Sequence, residues 1–83
     1  MVMLKFMIEK IITEDELNDV FSNTDFGGAL KRDVVKYALL KVACGYANGK
    51  TTHGIILDLG LVNEKNRLTK KGKEYLWECY KNW

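Results

Sequence analysis

Apolar residues recur at helical spacing through much of this 83-residue chain. A stripe near the start predicts a helix, since its members repeat every three or four positions. These members are Met3, Leu4, Met7, Ile8 and Ile11. Residues 2–4 together with Phe6 and Ile8 also fit a short strand. The pattern favours the helix over residues 1–12 and leaves the strand open.

A capping box indicates where the second helix begins. Thr13 and Glu16 have the spacing at which a threonine hydroxyl and a glutamate carboxylate each accept from the other residue's amide. Ile12 and Leu17 are placed as a hydrophobic staple. The expected core face is Leu17, Val20 and Phe21. Residues 22–28 are rich in turn formers and predict a loop.

A long helix is predicted over residues 30–47, ended by Asn48 and Gly49. Its expected buried residues are Val34, Val35, Ala38, Leu39, Val42, Ala43 and Tyr46. Thr51 or Thr52 is then expected to act as the N-cap of a short helix that Gly60 stops.

The C-terminal third predicts a hairpin followed by a helix. Residues 61–62 and 67–68 read as two short strands, and the four residues between them are a usual hairpin length. Thr69 is expected to cap the last helix. Its apolar stripe is Tyr75, Leu76, Cys79, Tyr80 and Trp83. Trp77 falls outside this stripe and is expected to be exposed.

Three short motifs resemble the ending of many prokaryotic and phage winged helix-turn-helix proteins. They are Gly-Lys-Thr-Thr at 49–52, Leu-Gly-Leu-Val at 59–62 and Leu-Thr-Lys-Lys-Gly-Lys at 68–73, and the resemblance covers about residues 30–80. It implies a recognition helix at about Thr52–Leu59 and a wing at Leu61–Leu68. Only four residues separate the long helix from Thr52, so the usual short middle helix is absent or replaced.

The expected fold is therefore mainly α with a short two-stranded β-hairpin, winged helix-turn-helix-like, with a rearranged helical core. Residues 1–83 are expected to form one domain, in which a helical extension (1–28) precedes the winged-helix core (30–80). The chain has no proline and no Gly/Ser linker that would indicate a second domain. It also lacks an apolar run long enough for a signal peptide or a membrane span, which predicts a cytoplasmic protein without membrane association.

Charge is distributed unevenly along the chain. The formal net charge is +2. Residues 1–30 contain two lysines and six acidic residues, a net charge of −4, whereas residues 31–83 contain eleven basic and five acidic residues, a net charge of +6. A basic part that coincides with the winged-helix-like part favours binding to a polyanion such as double-stranded DNA.

The resemblance and the charge together give a predicted DNA-binding surface. Its residues are Lys50, Thr51, Thr52, His53, Lys65, Arg67, Lys70, Lys71 and Lys73, and Arg32, Lys36 and Lys41 on the outer face of the long helix extend it. None of the first four is an Arg, Asn or Gln, the usual readers of guanine and adenine, so contacts mainly to phosphates are expected. The alternatives are plain helix capping by Thr51 and Thr52 and a merely solvated lysine surface.

The predicted function is a small DNA-binding protein, such as a phage or mobile-element regulator. The alternative is a protein-interaction module that binds or inhibits another protein, for instance a host factor, without DNA. Three aromatic residues on the last helix predict a contact with a partner or a second copy, and a homodimer through the terminal helices is expected. These residues are Trp77, Tyr80 and Trp83.

No group of residues indicates catalysis. The chain has one histidine and one serine, and residues 45–51 lack the spacing of a phosphate-binding loop, so neither an enzyme nor a cofactor is expected. Cys44 and Cys79 are 35 positions apart without a Cys-x-x-Cys pair or a Cys/His cluster. Free thiols and no metal site are expected, with a disulfide left open.

Overall fold

Four helices surround the core in the computed structural model, which describes residues 8–22, 24, 26–28 and 30–81. In chain order they are α1 (Glu14–Phe21), α2 (Lys31–Ala43), α3 (Lys50–Asp58) and α4 (Lys70–Tyr80), with a 3-10 turn at Phe26–Gly28. Residues 8–11 are also helical. The helix alternative is thus confirmed for this part of the first stripe, and residues 1–7 lie outside the described residues.

The start of α1 follows from its sequence as predicted. The amide of Glu16 donates to the Thr13 hydroxyl at 3.2 Å, and the amide of Thr13 donates to the Glu16 carboxylate at 3.1 Å. Two of the amides that a helix leaves without partners at its start are therefore satisfied. Ile12 and Leu17, the predicted staple, are both fully buried.

The end of α2 differs from the prediction. The helix stops at Ala43, four residues before the predicted Ala47, and Gly45 has a positive φ of 86°. The amide of Tyr46 turns back to the carbonyl oxygen of Lys41 at 2.8 Å. The left-handed residue that ends the helix is therefore Gly45 and not Gly49. Glycine adopts this conformation without strain. Consequently Tyr46, predicted to be buried, is 67% exposed.

The predicted two-stranded hairpin is wrong. Within the described residues the segment contains no strand, and its β pairing is a single antiparallel bridge between Val62 and Leu68. The reason is the position of the neighbouring helix ends. Gly60, with a φ of 75°, turns the chain directly out of α3, and Thr69 already caps α4. Too few residues remain on either side of the turn to extend the ladder, so a winged architecture is not formed.

The core lies where α1, α2, α3 and α4 meet. Its largest fully buried side chains are Tyr75, Phe21, Ile12, Leu17, Leu39, Ile56, Leu61 and Val35. Burial of one such side chain contributes about 1.5–3 kcal/mol. Gly72 lets α4 lie close to the backbone of Leu61. A Cβ at this position would overlap the carbonyl oxygen of Leu61.

Candidate nucleic-acid interface

The N-terminus of α3 is open. Its N-cap is Gly49, which provides no side-chain acceptor, and the first bond of the helix runs from the His53 amide to the Gly49 carbonyl oxygen at 2.9 Å. The amides of Lys50, Thr51 and Thr52 have no acceptor among the described residues. Such amides, together with the helix dipole, attract anions.

The side chains of this first turn are also without protein partners. In the part of the chain that the structure describes, Thr51, Thr52 and His53 make no side-chain hydrogen bond, and Lys50 makes no ion pair. The prediction that Thr51 or Thr52 caps the helix is wrong, since both lie inside it. The reason is that Gly49 already occupies the cap position, which leaves both hydroxyls available for a ligand.

One face of α3 is exposed at both ends of the helix and half-buried at its middle. It begins with Lys50 and Thr51, continues past Gly54 and ends with Leu57 and Asp58. A Cβ at Gly54 would meet no atom within 4 Å, so this face is uncovered at its middle. A glycine there lets another backbone approach α3 closely. The acid Asp58 makes the far end of the face less favourable for phosphate.

The turn after α3 carries two further predicted site residues. The side-chain oxygen of Asn63 accepts from the amides of Lys65 and Arg67 at 2.9 and 3.1 Å, and Asn66 takes a positive φ of 58°. These bonds fix the turn while the side chains of Lys65 and Arg67 stay exposed. No carboxylate pairs with either side chain among the described residues. Lys65 borders a groove against Leu57, so the turn adjoins the C-terminal half of α3.

The three lysines of α4 do not form one cluster. Lys71 lies 3.8 Å from the carboxylate of Glu16 on α1. Lys73 lines a groove on another side of the helix, and Lys70 is exposed. Because residues advance by about 100° around a helix, Lys71 and Lys73 lie about 160° apart. Lys71 and Lys73 therefore lie on different sides of α4, and neither Lys70 nor Lys73 makes an ion pair among the described residues.

Arg32 has a structural role that the sequence did not reveal. It was expected on the solvent face of α2. Instead its guanidinium donates to the Glu14 carboxylate at 2.9 Å, to the Ile12 carbonyl oxygen at 2.8 Å and to the Tyr75 hydroxyl at 3.3 Å. Partial burial alone would lower the pKa of Arg32, and its bonds to Tyr75 and Glu14 together raise it. The Arg32 side chain is therefore engaged within the fold and does not extend the predicted DNA surface.

The exposed Trp77 and the half-buried Tyr80 border one groove between α2 and α4. The α2/α4 groove is lined by Leu40, Leu68, Lys73, Leu76, Trp77 and Tyr80. Trp77 is 65% exposed, as its position outside the apolar stripe predicted. Trp83, the third predicted interface residue, lies outside the described residues. Tyr37 and Leu40 of α2 are 55% and 39% exposed. Neither was predicted as a surface residue, although their spacing on the helix places them on one face.

The two cysteines are free thiols. Cys44 is exposed and Cys79 is half-buried. Burial raises the pKa of the Cys79 thiol above its ordinary value of 9.0, against a lowering by Lys36 and Arg32. Cys79 is therefore a neutral thiol at pH 7, which is the unreactive form. Within the described ranges no three His, Cys, Asp or Glu residues are grouped so that they could hold a metal ion.

Comparisons with known proteins add no relative. No protein-family model, curated protein or solved structure matches this chain. The resemblance to winged helix-turn-helix proteins thus stays a prediction from its three motifs. Among the described residues, no helix has the length and apolar character needed to cross a membrane.

Proposed function

We propose that this protein binds double-stranded DNA, mainly through phosphates, with the open N-terminus of α3 as the principal contact. The observation that supports the proposal is one helical turn whose amides, hydroxyls and lysine have no partner among the described residues. Phosphate contacts of DNA-binding proteins come from these groups. A cytoplasmic location accompanies the proposal.

The distance between Lys50 at the start of α3 and the basic turn after the helix supports the same ligand. The helix has nine residues, so the first turn with Lys50 and the end beside Lys65 are about 13 Å apart along its axis. The major groove of B-DNA is about 12 Å wide. A helix in this groove would bring its first turn to one phosphate strand and the turn containing Lys65 and Arg67 to the other.

Sequence preference is expected to be weak. The exposed face of α3 presents Thr51, Gly54 and Leu57 but no Arg, Asn or Gln. Threonine can bond to several base edges, and Leu57 can contact a thymine methyl group, but neither supplies a bidentate bond. Affinity thus comes from the backbone. A regulator of the phage or mobile-element type is the role that the sequence resemblance suggests.

A salt titration of duplex binding tests the proposal. Each lost phosphate contact should reduce the slope of log affinity against log salt by about 0.9. We expect Lys50→Gln to weaken binding and flatten the slope by about this amount. Lys31→Gln is the matched control. It removes the same charge at the first residue of α2, where Lys31 donates to the side chain of Asn18.

Two results would contradict the proposal. One is no duplex binding at low salt by the unaltered protein. The other is an equal loss of affinity in Lys50→Gln and Lys31→Gln, because net charge would then explain the binding without an α3 site.

A further inference from the structure

The α2/α4 groove is a second surface with different chemistry. Apart from Lys73 its lining is apolar or aromatic, and its volume is about 350 Å³. This volume lies at the small end of the ~300–1,000 Å³ range of ligand pockets, enough for a few anchoring side chains. An open apolar groove between two helices is the form that accepts an amphipathic helix.

Two lysines lie at the rim of the groove. Lys36 places its Nζ atom 4.9 Å from the ring centre of Tyr37 and 5.8 Å from that of Tyr80. Lys73 is part of the wall. The nearest carboxylate partner of Lys36 is Asp33, at 3.8 Å on the same helix.

The acidic residues of α4 do not offset the charges of these two lysines. Glu78 is buried and holds Lys81 at 2.9 Å. Glu74 follows Lys73 by one residue, which places it about 100° farther round the helix, and it does not line the groove. Among the described residues Lys73 has no ion-pair partner, whereas the charge of Lys36 is partly offset by Asp33. The rim therefore carries the charge of Lys73 beside an apolar floor.

From this charge and shape we infer that the α2/α4 groove docks an acidic amphipathic helix of another protein. Its apolar residues, spaced at i, i+3 or i+4 and i+7, would fill the groove beside Trp77, and its Asp or Glu residues would face Lys36 and Lys73. A second copy of the chain is a poorer occupant. A two-fold dimer presents the same patch from both subunits, so the lysine rims would repel each other. This inference does not depend on DNA binding, because the groove shares no residue with α3.

The test uses the full chain and a labelled synthetic peptide. The peptide is about 16 residues long, with Leu or Phe at the i, i+3 or i+4 and i+7 positions and Glu at most others. A control peptide carries Lys in place of each Glu. Fluorescence anisotropy at low salt should show binding of the acidic peptide and at least about tenfold weaker binding of the basic one.

Variants locate the binding in the groove. Trp77→Ala should weaken binding of the acidic peptide about tenfold, because a central aromatic contact is lost. Its matched control, Tyr46→Ala, removes an equally exposed aromatic residue outside the groove and should have no effect. Lys73→Glu should weaken binding severalfold, and Lys65→Glu, on the turn after α3, should not.

Three outcomes would overturn the inference. The first is no binding of the acidic peptide, or equal binding of both peptides. The second is sedimentation of the protein as a dimer that Trp77→Ala converts to a monomer, which would make a second copy the occupant. The third is displacement of the bound peptide by a single-stranded oligonucleotide, which would make the aromatic residues a base-stacking surface.

Discussion

Helices α3 and α4 both begin with lysine and threonine residues, but the two first turns have opposite uses. In α4 the Thr69 hydroxyl accepts from the Gly72 amide at 3.1 Å and donates to the Gly60 carbonyl oxygen at 2.6 Å. Lys71 is paired with Glu16. In α3 the corresponding amides, hydroxyls and lysine have no partner among the described residues. Lysines at a helix start therefore indicate a ligand site only when the amides and side chains of that turn have no partner within the protein.

Replacing the glycine in each helix should give the largest contrast. Gly72→Ala forces a Cβ against the Leu61 carbonyl oxygen, and we expect it to lower the free energy of unfolding by about 1–3 kcal/mol. Gly54→Ala adds its Cβ in open space. It should raise the free energy of unfolding by up to about 1 kcal/mol, since alanine favours a helix.

Urea unfolding followed by circular dichroism measures both glycine variants. The two should move the midpoint in opposite directions. A similar shift for both would mean that the close approach of α4 to Leu61 does not exist in solution.

The threonines should give a smaller contrast. Thr69→Ala removes a helix cap and should cost about 1 kcal/mol of stability. Thr51→Ala should leave the stability unchanged or slightly higher, while it weakens duplex binding. Thermal unfolding and a binding titration on the same two variants check this. A loss of stability in Thr51→Ala would show that its hydroxyl serves the fold, and the open first turn of α3 would then be refuted.

Removing the ion pair between Lys71 of α4 and Glu16 of α1 should have the smallest effect on stability. This effect should be visible only as a change in the pH dependence of unfolding. The bond from the Thr13 amide, opposed by burial and aided by Lys71, keeps the pKa of Glu16 below its ordinary value of 4.5. A lowered acid pKa stabilises the fold above pH 4.5, and this stabilisation is lost as the pH falls through the lowered value.

The free energy of unfolding measured between about pH 6 and pH 3 checks this contribution. Over this range the unaltered protein should lose more stability than Glu16→Gln. Lys71→Gln should reduce the loss slightly, because exposed ion pairs contribute less than about 1 kcal/mol. Lys50→Gln serves as the control and should leave the pH dependence unchanged. If it changed the dependence as much as Lys71→Gln, the pairing of Lys71 with Glu16 would be wrong.

Local signals in the sequence predicted the starts of α1 and α4, whereas the predicted cap of α3 at Thr51 or Thr52 was wrong. The capping box at Thr13 and the cap at Thr69 depend on residues three positions apart, so they can be recognised without knowledge of the fold. The end of α2 was misplaced, because the chain offers glycines at both Gly45 and Gly49 and either can end a helix.

Features that depend on distant residues could not be predicted. The bond between Arg32 and Tyr75 joins positions 43 apart, and no pattern near Arg32 distinguishes it from a solvated arginine. Similarly, Lys71 and Lys73 are two residues apart in the chain, but their surroundings come from α1 and α2 respectively. The α3 face was found from the sequence through the motif resemblance, while its lack of a side-chain cap became visible only in the structure.

The polar bonds of Arg32 have a consequence for how α3 is held. Arg32 lies on α2 and connects it to Ile12, to Glu14 of α1 and to Tyr75 of α4 with directional bonds. Among the described residues, no side-chain hydrogen bond or ion pair links α3 to another helix. Its attachment consists of apolar contacts, which have no preferred direction. The position of α3 therefore depends on how its buried side chains Ile55 and Ile56 fit the core, whereas the other three helices are also tied to one another by directional bonds.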